Sequence, residues 1–156
     1  MPQRLKFISR QLILNQEIAQ QRPQVSANFS SPAALDWLDA ISESNAILSA
    51  ILAVIHPKLY DAGRKTEQLL RDTPEIVPQG VLSRWASVFS SVAVISNRIT
   101  PPHRDGNSRN QWYDILVTLR RYRNCNLELP GLGISLKYGP GTVMGISGKV
   151  LEHEVP

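Results

Sequence analysis

Hydrophobic positions recur at helical spacing through the first half of the chain. Leu5, Ile8 and Leu12 predict an opening helix, followed by a polar stretch from Asn15 to Gln24. Ser31 then offers a capping oxygen and Pro32 stands at a first helical position. Leu35, Leu38, Ile41, Leu48, Leu52 and Ile55 follow at steps of three, four or, between Ile41 and Leu48, seven residues, which is two helical turns. This predicts a helix over 32–55. Pro57 breaks it and opens another over 57–71, with Leu59, Leu69 and Leu70 facing inward. The segment 72–80, with Pro74 and Pro78, reads as a connector.

The period changes after residue 85. Val88 to Ile95 is rich in β-branched residues and predicts a strand that ends at Pro101-Pro102. From Tyr113 to Tyr122 the chain alternates, with Tyr113, Ile115, Val117 and Leu119 on one face and Asp114, Thr118 and Arg120 on the other. Short strands are expected near 126–129, 133–138 and 142–147, divided by Pro130-Gly131 and Gly139-Pro140-Gly141, and a last one over 150–155 after Gly148. Helices followed by closely spaced strands give an α+β class. The expected architecture is one domain over 1–156. A helical half, 1–80, braces an antiparallel sandwich or jelly roll over 85–156.

Composition narrows the class. Apolar residues make up 42% of the 156, enough for a core, and charged residues only 19%, too few for a disordered chain. The longest apolar run, Ala46 to Ile55, is interrupted by Ser49 and is shorter than a membrane span, and the opening MPQRLKF lacks the apolar run and cleavage site expected of a secretory signal. Cys125 is the single cysteine, which excludes an internal disulfide framework and a multi-cysteine zinc site. A soluble intracellular protein without membrane partners is expected, taken as a monomer.

The net charge of +4 is concentrated. Between Arg98 and Arg123 lie six arginines, Arg98, Arg104, Arg109, Arg120, Arg121 and Arg123, against Asp105 and Asp114, so this window holds the whole excess. Arginine forks suit phosphate and carboxylate. The window reads either as a solvated surface or as a face toward an anionic partner such as nucleic acid.

His56, beside Pro57 and without an acid near it in sequence, reads as structural. His103 stands in Pro101-Pro102-His103-Arg104-Asp105-Gly106-Asn107. A histidine and an aspartate two apart on extended chain project to the same side, which is two thirds of a facial metal-binding triad. His153, on the last expected strand, can return beside them after a meander of about four strands. The bland alternative is a half-buried strand histidine; the trio together favours a metal.

These residues carry a resemblance. Asn97-Arg98, Pro102 to Asn107, Tyr113-Asp114-Ile115, and Tyr138-Gly139-Pro140-Gly141-Thr142 through Gly148 to His153-Glu154-Val155 resemble the oxygenase domain of the TET/JBP family, most of all its fungal, transposon-associated members. The family consists of Fe(II)- and 2-oxoglutarate-dependent dioxygenases of nucleic-acid bases. The resemblance implies that the β half is a double-stranded β-helix of cupin-like form, with His103, Asp105 and His153 as iron ligands and 2-oxoglutarate and O2 as co-substrates. It further implies oxidation of methyl groups on DNA bases, of the 5-methylcytosine to 5-hydroxymethylcytosine type, in the nucleus. Arg98 and Asn97 become candidates for the co-substrate, and Arg104, Arg109, Arg120, Arg121 and Arg123 for the DNA. In the family an arginine on the strand after the distal histidine anchors the co-substrate. Pro156 closes this sequence three residues past His153, so the β-helix is expected to lack its last strand and turnover to be weak. The alternatives are a catalytically dead fragment acting at most as a basic DNA-binding module, and a cupin-like metal protein acting on a small molecule.

Overall fold

The computed structural model describes residues 27–75, 77–95, 99–106, 108–119 and 125–156. The chain forms two compact units, one up to Val94 and one from Ile95 to Pro156. The expected opening helix lies outside the described residues.

In the first unit a 3-10 turn, Ala27–Ser30, leads into α1, Pro32–Ile55, then α2, Pro57–Arg71, and a single turn α3, Gln79–Leu82. The bounds of α1 and α2 fall where the caps and prolines put them. The Ser31 hydroxyl accepts from the Ala34 N–H at 3.3 Å. His56 has the structural role expected of it: its Nδ1 accepts from the Leu59 N–H at 3.2 Å and caps α2. Leu38, Val77, Val81 and Leu82 form the core, with Phe29, Leu35, Trp37, Ile41, Leu70 and Trp85 packed around them.

Three expectations are corrected here. Leu69, expected on the inward face of its helix, is 66% exposed, and Ile55, the last of the apolar series that predicts α1, is 46% exposed. The buried positions of α1 are Ala34, Leu38, Asn45, Ser49 and Leu52, so its inner stripe includes two polar residues. Taken whole, α1 is also long and apolar enough to cross a bilayer by length and composition, a property it shares with core helices of soluble proteins. The interrupted run from Ala46 to Ile55 understated this.

The third correction concerns Val88 to Ile95, which forms no strand. Its first backbone groups are taken by side chains. The Val88 N–H donates to Ser49 Oγ at 3.1 Å, and Trp85 Nε1 donates to the Phe89 carbonyl at 2.8 Å. A Cβ on Gly63 of α2 would stand 2.5 Å from the Val88 carbonyl oxygen, so the absence of a side chain there lets this backbone lie against the helix. Groups already paired in this way leave no ladder to offer, whatever the β propensity of the residues.

The second unit holds six short strands: β1, Thr100–His103; β2, Asp114–Val117; β3, Asn126–Leu129; β4, Ile134–Lys137; β5, Val143–Ile146; and β6, His153–Val155. They make a four-stranded sheet in the order β1-β6-β3-β4 and a separate pair, β2-β5, all antiparallel. Segregated helices and two antiparallel sheets give the α+β class, consistent with a jelly roll. Pro101 and Pro102 do not end a strand but lie inside β1. A proline has no N–H to give a ladder, and β1 is an edge strand with an irregular register, where that loss is tolerated. Leu127, Leu129, Tyr138 and Ile146 form the core of this unit.

Candidate metal centre

The pairing of β1 with β6 sets His103 directly opposite His153. Opposed residues of an antiparallel pair share a face. The two imidazole centroids are 4.3 Å apart, with the ring planes tilted by 49°. Asp105, two residues beyond His103, joins them from the loop. Its Oδ1 is 3.6 Å from His103 Nε2 and its Oδ2 is 3.9 Å from His153 Nε2. One ligand atom from each residue lies within 4.8 Å of the other two.

The outer nitrogens of both rings are occupied. Nδ1 of His103 meets the Pro101 carbonyl at 2.9 Å, and Nδ1 of His153 meets the Leu151 carbonyl at 3.0 Å. A carbonyl oxygen can only accept, so each Nδ1 carries a proton, and in the neutral ring this leaves the lone pair on Nε2. That is the tautomer a metal needs, fixed in each case by the carbonyl two residues back. Atoms sharing an ion at 2.0–2.2 Å lie within about 4.4 Å of each other. Both imidazole–carboxylate separations are inside that reach, and small rotations of the half-exposed His103 and Asp105 bring in the remainder. Two neutral imidazoles and one carboxylate therefore fit Fe(II), with one face left for other ligands.

The site is open on one side. The His153 side chain is 6% exposed, and those of His103 and Asp105 are 38% exposed each. Arg104 and Arg109 are exposed on the loop that carries Asp105. Arg98, Asn97, Arg120, Arg121 and Arg123 lie outside the described residues.

Two contributors carried no site role in the sequence reading. Asp114, assigned there to the polar face of a strand, accepts from the Gly148 N–H at 3.3 Å through Oδ2. Its pKa is raised above the ordinary 3.8, first by burial and then by the negative charge of Asp105; the Gly148 N–H and His153 pull the other way. The other is Gly148 itself, whose carbonyl accepts from the Asp105 N–H at 2.9 Å. The available signal for Asp114 was a lone acid heading the apolar run Ile115-Leu116-Val117.

No curated protein matches the chain. The donor set, its two tied-off imidazoles and its place on paired antiparallel strands nevertheless agree with one family, Tet_JBP, described as the oxygenase domain of the 2OGFeDO superfamily. That family matches residues 16–155, nine tenths of the chain and all three candidate ligands, and the chain belongs to it.

Proposed function

We infer that this protein is an Fe(II)- and 2-oxoglutarate-dependent dioxygenase that oxidises methyl groups on DNA bases, with 5-methylcytosine to 5-hydroxymethylcytosine as the type reaction, and that it acts in the nucleus. The observation that carries the reading is the meeting of His103 Nε2, His153 Nε2 and the Asp105 carboxylate, with both Nδ1 atoms already held. Family membership supports the oxygenase class; the DNA substrate rests on the arginines and on the kinship.

When bound, Fe(II) with 2-oxoglutarate and O2 supplies oxidation of C–H to C–OH, with succinate and CO2 as the other products. The protein's part is to hold and to orient. His103, Asp105 and His153 would hold the ion from one side, with His153 the buried member of the three. Arg98 and Asn97 are the side chains assigned to the carboxylate of 2-oxoglutarate. A methyl group inside a duplex cannot reach such a site, so the base is turned out of the stack. We assign Arg104 and Arg109, both exposed on the loop that carries Asp105, to the phosphates, together with Arg120, Arg121 and Arg123.

The test supplies the purified chain with Fe(II), 2-oxoglutarate and oxygen, with and without a duplex carrying 5-methylcytosine. Mass spectrometry reads succinate and the oxidised base. Succinate and 5-hydroxymethylcytosine formed together support the reading. Succinate without base oxidation keeps the oxygenase and removes the DNA substrate. Salt-sensitive binding of the duplex with neither product favours a DNA-binding module instead.

A further inference from the structure

The three ligands come from two distant stretches, His103 and Asp105 from one and His153 from the other. What fastens the two together is the turn before β6. Asp114 pairs with Ile146 at the end of β5, which brings Ser147 to Lys149 alongside the loop after β1. Four hydrogen bonds then join the turn to its neighbours, three to the loop and one to the head of β2. Ser147 Oγ donates to the Asn110 carbonyl at 3.1 Å, and Lys149 Nζ donates to the Gly106 carbonyl at 2.7 Å. The Gly148 carbonyl accepts from the Asp105 N–H at 2.9 Å, and the Gly148 N–H donates to Asp114 Oδ2 at 3.3 Å.

Gly148 is buried at the centre of this clasp. The positive-φ glycines among the described residues are Gly133 and Gly141, so the backbone at Gly148 is open to any L residue. Space is what a side chain would contest, because two carboxylates already fill it. A Cβ there would collide with Oδ2 of Asp105, stand 3.1 Å from its Cγ and lie 2.8 Å from Oδ2 of Asp114. The carboxylate faced by both imidazoles occupies the volume a side chain at Gly148 would need.

We propose that Gly148 is the positioning residue of the metal centre: its missing side chain makes the seat for the Asp105 carboxylate, and its backbone fastens the Asp105 loop and Asp114 to the turn that leads to His153. This rests on the metal-centre reading above. A methyl group at Gly148 pushes the carboxylate off its seat while leaving all three ligands in the sequence.

Two measurements on the full 156-residue chain test it. The first titrates Co(II) alone into wild type and Gly148→Ala and follows the visible absorption of the bound ion. The expected result is an affinity lower by about tenfold or more, with an altered spectrum, as for the loss of an outer-shell support. Equal affinity with an unchanged spectrum overturns the proposal. The second needs no metal. Denaturation midpoints are compared for wild type, Gly148→Ala, Asp105→Ala and the double variant. If the methyl group collides with the carboxylate, Gly148→Ala lowers the midpoint in the wild-type background and lowers it far less when Asp105 is alanine. Equal losses in both backgrounds overturn the proposal. Should Gly148→Ala alone fail to fold, recovery of the fold in the double variant supports the seat, and no recovery overturns it. A wild-type chain that takes up no Co(II) overturns the metal reading, whereas the midpoints still decide whether Gly148 seats Asp105.

Discussion

The unit up to Val94 and the unit from Ile95 both place a small residue where another stretch of backbone must come close, but with different results. In the helical unit, Gly63 and Ser49 receive the backbone of Val88, and the polar groups involved satisfy one another. In the β unit, Gly148 receives the Asp105 loop, and the groups around it leave two nitrogen lone pairs and a carboxylate facing each other. The first arrangement ends as packing and the second as a site. Side chains that find all their partners inside the fold are finished, and a set of donors aimed at one point waits for an ion.

The largest effects should come from the two cores. Leu38 and Leu127 are each 0% exposed, and replacing either by alanine should cost about 2–5 kcal/mol in chemical denaturation. Leu38→Ala should appear first in the far-ultraviolet helical signal. Leu127→Ala should instead weaken Co(II) uptake, because β3 pairs with β6, the strand of His153. A Leu127→Ala chain with undiminished Co(II) affinity would uncouple the β core from the site.

Next come the ligands. Alanine at His103 or at His153 should lower Co(II) affinity by about a hundredfold or more, some 2.7 kcal/mol. His153→Ala should also destabilise the apo chain, since it empties a buried position, whereas His103→Ala should leave apo stability nearly unchanged. Similar apo losses for both would remove the distinction between a buried and an open side of the centre.

Ser49→Ala probes the finished arrangement in the helical unit. It strips the Val88 N–H of its acceptor and should cost about 1–3 kcal/mol by denaturation. Ser42, whose hydroxyl bonds the Asp39 carbonyl on the exposed face, should tolerate alanine within about 0.5 kcal/mol. If the two alanine variants matched, the buried hydroxyl would not be what seats Val88.

The smallest effect is a pH dependence. In the metal-free fold Asp114 keeps its proton to higher pH than in the unfolded chain. Between the ordinary 3.8 and its raised folded value, the folded state binds more protons. Its contribution is therefore full below 3.8 and is lost as pH rises through that window. Asp114→Asn should flatten this part of the apo stability profile. An identical slope in wild type and variant would show that Asp114 titrates alike in both states.

Helix bounds were legible because their causes are local. Ser31, Pro32, His56 and Pro57 act within one turn of where they stand, so α1 and α2 begin and end where the sequence predicts. The strand expected at Val88 failed for the opposite reason. Its β-branched residues describe a preference, and Ser49 and Gly63, both distant in sequence, together with the neighbouring Trp85 side chain, decided where its backbone groups went. Likewise, Asn45 and Ser49 are polar and yet buried, which no hydrophobic period can show.

The same division runs through the site. The residue types of His103-x-Asp105 and His153, with the motifs around them, were enough to nominate three ligands and a family, because a metal's demands are met by a few donor atoms. The sequence does not contain the distances. Only the pairing of β1 with β6 sets the two imidazoles face to face. Only the local fold of each histidine ties its Nδ1 to the carbonyl two residues back and leaves Nε2 free to coordinate. Asp114 and Gly148 acquired their roles at the same stage. One is an acid at the head of an apolar strand and the other a glycine in a turn, and neither has a chemical signature of its own. Their part comes from the pairing of β2 with β5, which lays the turn against the Asp105 loop at contact distance. Which atoms can take part is chemistry written residue by residue, whereas which atoms meet is settled by chain pairing across some fifty residues.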